Sequence, residues 1–130
     1  EMNLLTKNSS FQVSEHFGYT LYIYLFFEPR NSVVNDAVAS KSEAVSSITL
    51  WWIGIRTERI TNQPRKFFYL SGGPDTSLSF EYWEGGEPNN SVAEDCVQIN
   101  YPGHSIGRWN DNECERNMGS ICEMGNEIIL

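Results

Sequence analysis

Glu87-Pro88-Asn89, then Glu94-Asp95-Cys96, then Trp109-Asn110-Asp111 with Cys114 closing, is the run that decides how this 130-residue chain is read. Glu87, Asn89, Glu94, Asn110 and Asp111 are five oxygen-bearing side chains held at fixed sequence distances from two cysteines. Calcium takes about 6–8 oxygen ligands at roughly 2.3–2.6 Å, and Glu, Asp and Asn are its usual side-chain donors. Three of the five are carboxylates, so the bare site would repel itself, and a cation removes that repulsion. The bond before Pro88 is of the X-Pro type, for which the cis form costs only about 0.5–1 kcal/mol. A cis kink there would turn Glu87 and Asn89 toward one point. Five groups need not fill the shell, and two neighbouring sugar hydroxyls can complete it while bonding to the same side chains. Read piecewise, the residues are ordinary: Pro-Asn-Asn after two glycines is a turn, and Asn-Asp is a common loop pair. The joint order and spacing set the calcium reading above the turn reading.

These motifs resemble those of the C-type lectin-like domain, in the mannose-type branch that carries Glu-Pro-Asn rather than Gln-Pro-Asp. The resemblance runs from about Trp52 to Glu123. Trp52-Ile53-Gly54-Ile55 is similar to the family's core tryptophan strand motif, and Phe67 to Gly73 to its aromatic strand and turn. Tyr82-Trp83 precedes the long loop, and Ser120-Ile121-Cys122-Glu123 resembles the closing strand. The resemblance implies an α+β, C-type lectin-like fold of antiparallel strands with a long calcium-binding loop region. It also implies that Glu87, Asn89, Glu94, Asn110 and Asp111 are the metal ligands and sugar-binding residues, with the Asp111 backbone carbonyl a further donor. Glu87 and Asn89 would then select glycans with equatorial 3- and 4-hydroxyls: mannose, fucose, N-acetylglucosamine and glucose. Many family members have an auxiliary calcium site built from acids just after the core strand motif. Here that stretch reads Arg56-Thr57-Glu58-Arg59-Ile60-Thr61, and Asn90 stands where an acid often sits. One calcium ion is therefore expected, with Glu58 and Asp95 as weak contributors and Glu58 better read as a surface ion pair.

By the same resemblance Cys96 pairs with Cys114, closing a loop of roughly 20 residues and contributing on the order of 3 kcal/mol in the chain-entropy account. That bond would hold two ligand-bearing segments together. Cys122 should pair with a cysteine near Val38 to Lys41, where none exists, and three cysteines leave one over. Cys122 is either a buried free thiol packing as a small hydrophobe or a link to another chain.

The amino-terminal part fits the family less well. Tyr19 to Phe27 is rich in aromatic and β-branched residues, the composition of a strand. Pro29 and Asn31 punctuate, and Asn35 to Val45 reads as one short amphipathic helix. Val45-Ser46-Ser47-Ile48 is followed almost at once by Trp51-Trp52, which leaves no room for a second helix of about 10 residues. The helical part is therefore reduced, with the second helix missing or trimmed. The whole reads as a single domain, 1–130, in which 1–50 is atypical and 51–123 is well matched.

A hydrophobic fraction of 40 % and an aromatic share of 13 % argue for one folded core. Trp52, Trp83 and Trp109 are read as core residues, with Trp51 the least clear. A net charge of −8 speaks against nucleic acid and anionic membrane surfaces, which want clustered Lys and Arg, and against heavily sulfated sugars. No run of roughly 18 apolar residues is present, so no membrane span is expected. The chain does not open on a signal-peptide pattern, so such a peptide is either removed or never existed. A disulfide and a calcium site place the chain outside the cell, secreted or as the extracellular part of a cell-surface protein. Asn8-Ser9-Ser10 is a glycosylation acceptor pattern; Asn89-Asn90-Ser91 is another, read as chance because it overlaps a proposed ligand. The segment Tyr101 to Gly107 reads as a hairpin tip, the competing reading being a wall on which Tyr101 or His104 touches a second saccharide.

The leading function is calcium-dependent sugar binding without chemical turnover. One exposed site gives weak monovalent affinity, so a homo-oligomer or a larger multidomain protein is expected to supply avidity. The alternative is a lectin-like module that recognises protein, with calcium structural or absent. Catalysis is set aside: His16 and His104 lack partners at dyad spacing, and Glu87 with Glu94 or Asp111 is better explained as cation-holding than as a glycosidase pair.

Overall fold

The computed structural model describes residues 11–16, 20–45, 50–58, 62, 65–89, 93–100, 103, 105–124 and 127–130. In chain order these form β1 (Phe11–His16), β2 (Thr20–Phe26), α1 (Ser32–Val45), β3 (Trp51–Glu58), β4 (Lys66–Tyr69), β5 (Cys96–Ile99), β6 (Trp109–Asn112), β7 (Gly119–Ser120), β8 (Cys122–Met124) and β9 (Glu127–Ile129). One sheet runs β1-β2-β8-β9 and the other β4-β3-β5-β6, with β7 attached to β3. The architecture is α+β with a reduced helical part: α1 is the one helix among the described residues. Among the described strands pairing is antiparallel except where Trp51 and Trp52 meet Gly119 and Ser120 of β7 in parallel, and an isolated parallel bridge joins Trp83 to Trp109. No helix among the described residues is long and apolar enough to cross a membrane.

The expected amino-terminal strand is present as β2, but it has a partner that was not expected, β1. β9 likewise extends the sheet past the closing strand, pairing with β8. The helix starts at Ser32 rather than Asn35, because Asn31 caps it: its Oδ1 accepts the Val34 N–H at 2.9 Å. Val33 and Val34 consequently lie in the first turn and face solvent, at 78 % and 44 % exposure. Those two apolar side chains blur the helical pattern at its start.

β3 organises the core. Trp51, Ile53, Ile55 and Thr57 are buried while Trp52 and Arg56 stay partly exposed, the period of a strand with one face inward. Trp51 therefore belongs to the core and Trp52 does not, the reverse of the sequence ranking. Trp109 is fully buried, and Trp83 packs edge-on against it with centroids 5.5 Å apart. Gly54 permits a close crossing between the two sheets: a Cβ there would lie 2.7 Å from Glu28 Cγ and 2.9 Å from Phe26 O, where its own N–H donates to Phe27 O at 2.7 Å. The buried Glu28 carboxylate is satisfied by Ser71 N and Oγ at 2.9 and 2.7 Å and by Arg30 at 3.2 Å.

Polar side chains tie α1 to β6. Trp109 Nε1 donates to Asn35 Oδ1 at 2.9 Å, and Asn35 Nδ2 donates to Gly107 O at 2.9 Å. Asn100 Nδ2 reaches Ala39 O and Ser42 Oγ, both at 3.0 Å, while its Oδ1 accepts Gly107 N–H at 2.9 Å. Each buried polar group named here has a partner, which is the condition for placing amides in a core. The start of β6 is thereby fixed before the candidate site begins.

Candidate functional site

The site is built on the β5–β6 hairpin. Its register sets Cys96 opposite Asn112, Val97 opposite Asp111 and Gln98 opposite Asn110. All four residues of β6 are buried, with Asp111 at 0 % exposure and Asn110 at 7 %. A disulfide joins Cys96 and Cys114, with Cα atoms 5.1 Å apart, so the segment carrying Glu94 and Asp95 is bound to the segment carrying Asn110 and Asp111. A third segment is laid alongside by the backbone: Trp109 N donates to Tyr82 O at 2.9 Å and Glu84 N to Trp109 O at 2.8 Å. The chain then turns, with Glu87 N donating to Glu84 O at 2.9 Å and Gly86 at a φ of 87°, and the Glu87–Pro88 bond is cis. Asn89 N donates both to Glu87 Oε2 at 2.8 Å and to Asp111 Oδ1 at 3.1 Å.

Glu87, Asn89, Glu94 and Asp111 thus converge, and their charges register it. Burial pushes the Glu87 carboxyl above the usual glutamate range, helped by its hydrogen bond with Asp111 and by repulsion from Asp111 and Glu94, against the pull of the Asn89 N–H. Glu94 is also pushed up, first by burial and then by Asp111 and Glu113, while Asn89 and Arg116 pull it down. Glu94 Oε2 is buried and accepts no hydrogen bond. Mutually repelling carboxylates beside an orphaned oxygen are relieved by a hard cation, so the residues fit calcium. Among the described residues no three His, Cys, Asp or Glu side chains form a ready cage, so amide and backbone oxygens would be needed as well. Asn110, one residue before Asp111 on β6, is buried opposite Gln98.

Other expected positions fall elsewhere. Glu58 is exposed at the end of β3, opposite Lys66. Asp95 Oδ1 meets Arg65 Nη2 at 3.3 Å. Arg65 also places Nη1 3.4 Å from Asp111 Oδ2 and donates to the Glu94 backbone oxygen. Nothing in the sequence pointed to it, because its partners lie 29 to 46 residues away. Cys122 is free and buried, and burial, aided by Glu123, pushes its thiol up to about 11. Asn8, Arg59 to Thr61, Asn90, Tyr101 and His104 lie outside the described residues, so their expected roles are not placed.

Among the described residues, two sheets, one helix and an oxygen-rich loop site braced by a disulfide define a lectin-like domain. The chain belongs to the C-type lectin domain family: residues 26–124 match the family described as "Lectin C-type domain". This is a carbohydrate-binding, non-enzymatic family. The match begins at Phe26 and so takes in α1, well before the Trp52 at which the sequence resemblance starts. The chain is 37 % identical over 97 residues to the "Mannose-binding protein" of Gallus gallus, covering 74 % of this chain and 33 % of that protein. It is 34 % identical over 83 residues to "Lectin BRA-3" of Megabalanus rosa, covering 64 % and 46 %. It therefore spans less than half of either relative. Among solved structures, the C-type lectin CEL-I from Cucumaria echinata shares the fold with a TM-score of 0.64 at 22 % identity, covering 80 % of this chain and 70 % of that one.

Proposed function

We propose that this domain is a calcium-dependent lectin for glycans with equatorial 3- and 4-hydroxyls, of the mannose, fucose and N-acetylglucosamine type. The observation that carries the reading is the Asn89 N–H bond to Asp111 Oδ1 at 3.1 Å, which joins two motifs 22 residues apart in one place. The orphaned Glu94 Oε2 and the 37 % identity to a protein named mannose-binding support it. Glu87, Asn89, Glu94, Asn110 and Asp111 would hold one calcium ion, which supplies a Lewis-acidic point for two sugar hydroxyls. Glu87 and Asn89 then fix the hydroxyl geometry, the carboxylate accepting and the amide donating. The chain, read as one domain over 1–130, would work outside the cell, with avidity from further copies or a larger parent chain.

Passing the protein over immobilised mannose in millimolar calcium, then adding chelator, tests this. Retention and release, with free mannose but not galactose eluting the protein, is the expected result. Flow-through at full calcium would replace the lectin reading with protein recognition.

A further inference from the structure

Arg65 reaches three oxygen groups at the candidate site from the strand side. Nη1 lies 3.4 Å from Asp111 Oδ2, Nη2 lies 3.3 Å from Asp95 Oδ1, and Nη2 also donates to the Glu94 backbone oxygen. The side chain is only 13 % exposed, and its central carbon sits 5.4 Å from the Phe67 ring centroid. The fully buried Asp111 carboxylate is thereby held at both oxygens, Oδ2 by the guanidinium and Oδ1 by the Asn89 N–H. Two carboxylates and a backbone carbonyl converging on one positive group are also the donor types that calcium takes. A guanidinium differs from a metal in being permanently present, permanently charged and planar, with its donors fixed in a fork.

From this geometry we infer that Arg65 is a resident cation, filling beside the sugar site the position a second metal ion would otherwise have to fill. The inference rests on the calcium reading above and adds to it a reason for one ion. Arg65 is a positioning residue in this account: it touches neither sugar nor calcium. It compensates Asp111 and Asp95 and anchors the Glu94 backbone, so the remaining oxygens are set for a single calcium before that ion arrives. Without it, those three oxygen groups lose the one cation they share and are open to a second metal ion.

The test compares wild type, Arg65→Ala and Arg65→Lys by ion count in native mass spectrometry, by calcium dependence of mannose retention, and by melting temperature in chelator. Wild type is expected to hold one ion and to respond with a steepness of about one. Arg65→Ala is expected to take a second ion, to show a steepness approaching about two, and to need roughly ten-fold more calcium, the usual cost of removing a ligand-orienting partner. Its melting temperature in chelator falls and is restored by calcium. Arg65→Lys keeps the charge and stays a one-ion site, with a smaller loss because an ammonium is a point contact. An Arg65→Ala chain with the wild-type ion count and curve overturns the inference while leaving the calcium reading intact. An Arg65→Ala chain that fails to fold at any calcium concentration overturns it too, since a counter-charge is replaceable by calcium. A wild-type chain that takes up no calcium overturns both.

Discussion

Cys122 sits between two pairings, opposite Phe26 of β2 and Ile129 of β9, and is 1 % exposed. A thiol raised to about 11 is almost wholly protonated at neutral pH, and the protonated form is the unreactive one. Alkylation of the native protein at neutral pH should therefore leave Cys122 unmodified, while the same reagent after unfolding without reductant adds one label per chain. No label after unfolding would mean that the thiol is engaged, as in a bond to another chain. The sequence left both fates open for a physical reason. The missing partner near Val38 to Lys41 is visible in one dimension, but burial depends on β8 lying inside a sheet. β9, which makes β8 an inner strand, follows a stretch with no readable motif. Arg65 was hidden for a related reason: its contacts are long-range and its own neighbourhood carries no pattern. Glu87, Asn89, Glu94 and Asp111 were legible because oxygen donors around a proline and two cysteines are rare in that order.

At the scale of elements, β3 was the most readable part of the chain, α1 was legible except at its start, and β1 and β9 were not legible at all. The alternation of Trp51, Ile53, Ile55 and Thr57 inward follows from strand geometry alone. Trp51 rather than Trp52 enters the core because the motif specifies the strand but not its phase. The start of α1 was missed because capping by Asn31 overrides the hydrophobic pattern at Val33 and Val34. Gly54 is where β3 meets the other sheet, and its substitution measures how tight that contact is. Gly54→Ala puts a methyl within 2.7 Å of Glu28 Cγ and 2.9 Å of Phe26 O, and the backbone oxygen cannot swing aside as a side chain can. A destabilisation of about 1–3 kcal/mol is expected from overpacking of this kind, read as a lower denaturant midpoint at unchanged slope. Calcium affinity should stay near wild type, because the β5–β6 hairpin is not touched. A midpoint equal to wild type would show that the sheets separate at little cost.

For the molecule as a whole, acidity cuts two ways. Without calcium, Glu87 and Glu94 are harder to ionise in the folded chain than in the unfolded one. Their contribution to stability is then fully present below the unfolded glutamate value of about 4.3 and is lost as pH rises through the folded value. With calcium the sign reverses, because the ionised forms hold the metal and that stability is lost as pH falls. In chelator at neutral pH, Glu94→Gln should melt above wild type, with the difference closing toward about pH 4. In excess calcium at neutral pH the order should invert. Melting curves across pH in both conditions check this, and a Glu94→Gln chain that melts below wild type in chelator at neutral pH contradicts it. The burial of β6 carries one more consequence, in time rather than energy. Asp111 faces Val97 across a ladder in which both are fully buried, whereas Glu87 is half-buried and Asn89 exposed on a turn, and burial of this kind is what separates globally from locally opening backbone. Half of the site thus keeps the clock of global unfolding and the other half that of a loop. A bound ion would tie the fast half to the slow one, and would slow the slow one as well by favouring the folded chain.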